Sequence, residues 1–239
     1  MRIAPSILAL ALSFTAVAVP AQGIADVLLR SQQLRLARFD AADPQRDEAQ
    51  HIRATLARLN AAAAAQGLPP VALLLVDGGL FAEAQFGRPA IAVSLGVGQL
   101  PEGERSMMLA HELGHVHLNH WQALRELYTH YIPGEVTPDA TDPVSSELGR
   151  AAHLQSHEHE LAADAFGFTL LLSLGFDVND ACSLLTRNGM QFDTATHPAT
   201  RKRLAQLRLL DEQHHLPAMA AAASQATTLL SSSSLSPGR

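Results

Sequence analysis

Five consecutive residues, His111-Glu112-Leu113-Gly114-His115, constrain this chain more than any other feature. Two histidines four residues apart can act together on a helix. Four residues advance an α-helix by about 400°, so His111 and His115 lie one above the other on one face. Two neutral imidazoles at that spacing can share one zinc ion at about 2.0–2.1 Å. Glu112 stands about 100° round from His111, outside the vertical pair but able to reach water at the metal. Met107, Met108 and Leu109 supply apolar packing just before the motif. A surface helix that carries two histidines by chance would show the same five residues, so the rest of the chain has to decide.

A catalytic zinc needs a third protein ligand and an open position. The candidate lies in Glu160-Leu161-Ala162-Ala163-Asp164, where Glu160 and Asp164 are again four apart and share a face. Glu160 is placed to ligate the metal. Asp164 is placed to accept a hydrogen bond from a ligand histidine and so fix its tautomer. Ala162 and Ala163 leave room for two helices to approach closely. On the same stripe, His153, His157, Glu160 and Asp164 project at about 0°, 40°, −20° and 20° round the helix axis. His157 is therefore a rival ligand to Glu160, or the start of a second metal site upstream. The blander reading is that His153 and His157 line the mouth of the cleft. His117 and His120 point away from the His111/His115 face and read as surface or supporting residues. His214 and His215, just before Pro217, read as a helix end.

The 239 residues are 47% hydrophobic and 17% charged, a globular balance that excludes rods and largely disordered chains. The net charge of −6 makes nucleic acid an unfavourable partner. Cys182 is the single cysteine, so no intrachain disulfide forms. The apolar run Ile7 to Val19 follows Arg2 and is 13 residues long. That is signal-peptide length, short of the ~20 needed to span a bilayer. Cleavage is expected before Gln22, with Ala16-Val17-Ala18 as a second candidate site; 1–21 is then the signal and the protein is exported. No later segment reads as a transmembrane span.

Beyond it, Asp47 to Ala65 carries Ile52, Leu56 and Leu59 at helical spacing and stops at Gly67-Leu68-Pro69-Pro70. Val71 to Val76 and Ala90 to Leu95 read as strands, bounded by Asp77-Gly78-Gly79 and by Pro89 and Gly96. Helices are expected from Glu102, over Ser146 to Leu174, Val178 to Arg187 and Pro198 to Gln213, with Tyr131 to Pro143 a loop. The fold class is α+β, mainly helical, with a small β-sheet beside the helix that carries the metal motif. One domain is expected over 22–215, followed by a disordered tail over 216–239, which is Ala-, Ser- and Thr-rich.

Three ordered motifs give a more specific likeness. Leu109-Ala110-His111-Glu112-Leu113-Gly114-His115, then Glu160-Leu161-Ala162-Ala163-Asp164, then Thr196-His197-Pro198 with Arg201 behind it, resemble the HtpX-like and CAAX-prenyl-endopeptidase-like zinc metallopeptidases, family M-48 of the gluzincins. The likeness spans roughly Val71 to Leu210. It implies a zincin-like fold, one Zn2+ per chain on His111, His115 and Glu160, Glu112 as general base, and Asp164 as a ligand's hydrogen-bond partner. His197 matches the family's His-Pro histidine near the metal and is expected to act as a reversible fourth ligand or as an oxyanion donor. The usual Glu-Ala-Asp triplet is Ala162-Ala163-Asp164 here. With no transmembrane helices around the core and no helical-repeat domain, the likeness is to the small soluble periplasmic members. Those degrade damaged or misassembled envelope proteins, and association with envelope membrane proteins goes with that role. The expected substrate is an extended polypeptide, paired as an added strand along Ala90–Leu95. The alternatives are a zinc-binding, chaperone-like module of weak turnover and a narrow regulatory protease.

Overall fold

The computed structural model describes residues 23–233, with side chains as far as residue 216. The expected signal segment, 1–21, lies outside the described residues. The protein is mainly helical with one small sheet. Helix α1 (Ile24–Leu36), which the sequence reading passes over, precedes α2 (Asp47–Ala64), whose Ile52, Leu56 and Leu59 are buried as their spacing requires. Strands β1 (Ala72–Val76), β2 (Ala82–Ala84) and β3 (Ala90–Ser94) follow, then a 3-10 turn. The metal-motif helix is α3 (Glu102–His117), and α4 (His120–Tyr131) begins three residues after its end. A single turn, α5 (Pro138–Thr141), interrupts the proline-rich loop. The chain closes with α6 (Ser145–Ser173), α7 (Val178–Thr186) and α8 (Thr200–Ser233).

The order in the sheet is β1-β3-β2, with β1 parallel and β2 antiparallel to β3. This corrects the expected substrate edge. Ala90–Ser94 is the central strand, buried at all five positions, and neighbours on both sides use its main-chain groups. The edge nearer the metal motif is β2. Three residues are too few for a period-2 pattern, so nothing in the sequence announces this strand.

Two further differences concern α8. It starts at Thr200 and not at Pro198, so His197 lies in the preceding loop, three residues before the helix and not directly at its entrance. Its backbone stays helical to Ser233 where a disordered tail is expected, and His214 and His215 fall inside it. Alanine is the strongest helix former, and Ala220–Ala223 extend the helix without an apolar stripe to signal it.

One core joins α2, the sheet, α3, α6, α7 and α8, with Ile52, Leu59, Ile91, Val93, Leu113, Phe168 and Leu207 essentially inaccessible. α7 is held at its start by Asp177, whose side chain accepts from Asn179 N and Asp180 N while Asp180 accepts from Asp177 N. Its C-cap Arg187 ion-pairs with Glu104 in the first turn of α3. A smaller cluster of Ile24, Ile132 and Leu148 fastens α1 against the end of α4. Among the described residues no helix is long and apolar enough to cross a membrane.

Candidate metal centre

Two helices build the site, and at each of their two closest approaches one of them carries a glycine. A Cβ on Gly114 of α3 would stand 2.9 Å from the Cα of Ala163, and one on Gly167 of α6 would stand 3.0 Å from the backbone N of His111. The two backbones are almost in contact, and this carries Glu160 of α6 up to the histidines of α3. Gly114→Val is therefore expected to destabilise the fold by about 1–3 kcal/mol and to weaken metal binding by spreading the ligands. Thermal unfolding with and without added zinc checks this. A variant with the parent's midpoint and the parent's zinc shift would show that the crossing tolerates a side chain.

His111 Nε2 and His115 Nε2 stand 3.1 Å apart, Glu160 Oε2 is 3.5 Å from the first, and Glu160 Oε1 is 3.3 Å from the second. Tetrahedral donors at about 2.0–2.1 Å from one zinc ion stand roughly 3.3–3.4 Å from each other, so these separations fit a shared metal. Glu160 Oε2 is buried with no hydrogen-bond partner. Leaving a buried carboxylate oxygen unpaired is costly, and a cation among the three donors removes the cost. His111, His115 and Glu160 can hold a metal ion, and they are the one such group among the described residues. Two imidazoles and a carboxylate also leave a fourth position open.

The charges around the group favour a cation. Burial pushes the pKa of His111 down, but the hydrogen bond to Asp164 and the adjacent Glu160 carboxylate outweigh it and hold it up at about 10. Burial would raise Glu160, yet His111 and His115 keep it well below the usual carboxylate range. Asp164 is fully buried and behaves likewise: burial raises it, and Arg203 and His111 bring it down. Its Oδ1 lies 3.0 Å from His111 Nδ1, so His111 presents Nε2 to the metal position. Asp164 is itself gripped by Arg203 of α8, whose Nε and Nη2 donate to its two oxygens at 2.6 Å each. The sequence reading missed Arg203. Arg201, Lys202 and Arg203 are consecutive cations, and only the register of α8 against α6 selects the third.

Of the two readings the sequence allows for His120, surface or supporting, the structure gives the second. Its Nδ1 lies 2.9 Å from His115 Nδ1, so it is a direct partner of a ligand. Burial, then the neighbouring His115 and His159, push its pKa down to about 3, so its ring is neutral. The rival His157 does not join the metal group: its Nε2 bonds Thr194 O at 2.9 Å, and His153 Nδ1 bonds Ala195 O at 3.2 Å. The two stripe histidines tie down the loop that carries His197. His197 Nε2 comes within 3.6 Å of Glu160 Oε2 but lies outside the three-residue group.

Glu112 faces the sheet edge, where Oε2 accepts the Ala84 N–H at 2.7 Å. Burial raises its pKa, opposed by His111 and His115. Phe81 O accepts from Ser94 N and Gln85 N donates to Ala90 O, so by alternation the main-chain groups of Ala82 and Ala84 turn outward. Gln32 of α1, which is buried, occupies part of that edge. Its amide donates to Ala84 O at 3.0 Å and accepts from Phe86 N at 2.7 Å. One cavity of about 710 Å³ runs from the metal group past β2 to an apolar wall that includes Val116, Phe86 and Trp121, the last two with parallel rings 4.2 Å apart. The arrangement can therefore hold a cation at the floor of an open cleft, with a buried carboxylate beside it. No family model matches the sequence, and no curated protein matches it significantly.

Proposed function

We propose that this chain is a zinc-dependent endopeptidase of zincin-like fold, acting on unfolded or misassembled envelope proteins after export to the periplasm or beyond. The observation that carries this reading is the His111–His115–Glu160 group at metal-ligand spacing, with Glu112 one residue from a ligand and an open cleft above. The resemblance to the family M-48 peptidases points the same way through the three motifs alone.

Zinc on these three residues would polarise a scissile carbonyl and acidify water beside it. Glu112 takes the proton of the attacking water and passes it to the leaving amine nitrogen. Asp164, locked by Arg203, keeps His111 in the ligating tautomer. The Phe86–Trp121 wall suits an apolar side chain of the substrate, and the outward main chain of Ala82 offers a place for strand pairing. His197 stands at the rim, as a fourth ligand in the resting protein or as an oxyanion donor during turnover.

A second reading, a zinc-holding chaperone-like module of weak turnover, draws on one feature. The edge groups of Ala84 and Phe86, and one oxygen of Glu112, are already engaged within the chain. Cleavage of casein or a denatured protein separates the two. The peptidase reading expects cleavage that a zinc chelator abolishes and added zinc restores. Chelator-insensitive cleavage would remove the zinc mechanism, and a zinc-loaded protein inert on casein would favour the module.

A further inference from the structure

We infer that His120 is a positioning residue, a hydrogen-bond acceptor that holds His115 in the tautomer whose Nε2 faces the metal. The inference rests on the zinc reading above. Its starting point is a break in the backbone. Asn119, at φ 55°, is the one non-glycine residue with positive φ among the described residues, and it separates α3 from α4. Asn tolerates this left-handed conformation better than most residues. Had α3 continued, residue 120 would project about 140° round from His115. The turn instead starts α4 at His120 and sets its ring against His115. On the other side, His159 of α6 stacks on the same ring, with centroids 4.0 Å apart and planes within 4°. The ring is held from both sides and is only 7% exposed.

The chemistry leaves one arrangement. Two ring nitrogens 2.9 Å apart share a single proton. His115 Nε2 points into the ligand group, 3.1 Å from His111 Nε2 and 3.3 Å from Glu160 Oε1, and needs its lone pair for the metal. The proton of His115 is therefore on Nδ1, where it is donated to a bare His120 Nδ1, and the proton of His120 is on Nε2. His120 thus does for His115 what Asp164 does for His111, with one difference. Asp164 brings a negative charge that raises ligand basicity, whereas His120 fixes orientation and adds no charge. A metal held there would keep more of its Lewis acidity than two carboxylate partners would leave it.

Imidazole ¹⁵N spectra of the zinc-loaded full chain test the tautomers without any substitution. A bare Nδ1 and a protonated Nε2 on His120 are expected, and the opposite tautomer overturns the inference. Zinc affinity, measured by competition with a chromogenic chelator, tests the role. His120→Leu removes the acceptor and should weaken zinc about 10–100-fold. His120→Asn places Oδ1 near the lost Nδ1 and should stay close to the parent. A folded His120→Leu protein with parental affinity, or a His120→Asn protein as weak as His120→Leu, overturns the role. If His120→Leu does not fold, the His120→Asn affinity and the parental spectra decide. A parent chain that binds no zinc overturns the metal reading and this inference with it, whereas a zinc-binding parent with the variants ranked otherwise overturns only His120.

Discussion

Glu112→Gln should lose peptidase activity by about 10²-fold or more while zinc remains bound. The carboxylate is not among the three residues of the metal group, so the amide leaves the donor set intact. What it removes, on the proposed mechanism, is the base. An amide nitrogen takes no proton from water, and its oxygen is a far weaker acceptor than a carboxylate. The fold should survive as well, because the amide oxygen can still accept the Ala84 N–H that Glu112 Oε2 accepts at 2.7 Å. Casein cleavage and metal content, measured on the same preparation, form the pair of readouts. Zinc-loaded Glu112→Gln protein that cleaves at the parent's rate would remove Glu112 from the chemistry. Loss of zinc along with activity would mean that the carboxylate supports the metal, and the division of roles would fall.

Glu160→Ala should cost more zinc affinity than the roughly 10–100-fold typical of a ligand's outer partner, and His157→Ala should leave it unchanged. Both residues sit on one stripe of α6, and the sequence offers either as third ligand. In the structure only Glu160 reaches the histidine nitrogens, at 3.3 and 3.5 Å. Its removal leaves two imidazoles to hold a divalent ion. His157 spends its Nε2 on Thr194 O, so its loss should loosen the 190s loop and leave the donors where they are. Metal content after dialysis ranks the two variants. Zinc retained by Glu160→Ala and lost by His157→Ala would reverse the assignment.

Helical periodicity made much of this site legible in advance. It is set by hydrogen bonds within a single segment, so His111 and His115 share a face wherever the helix goes, and so do Glu160 and Asp164. The same local rule marks α2 through Ile52, Leu56 and Leu59, and turn residues mark the ends of β1 and β3. It could not choose between His157 and Glu160, which differ by only about 60° round one helix. Nor could it place an element with no pattern of its own. β2 is three residues long, and its position at the sheet edge depends on β3 being taken on the other side by β1.

The sequence by itself therefore determined a metal-spaced histidine pair, a carboxylate pair to meet it, and a mainly helical frame with a small sheet. Tertiary structure alone decided which side chains support the ligands. Arg203 reaches Asp164 because of how α8 lies on α6, and His120 reaches His115 because one left-handed residue, Asn119, breaks the helix between α3 and α4. The edge that Gln32 covers is likewise a meeting of α1 with β2, some fifty residues apart in sequence. The physical reason is the range of the forces that fix each feature. Backbone hydrogen bonds and sterics set a face within a few residues, whereas contacts between segments follow from how whole elements bury their apolar surface.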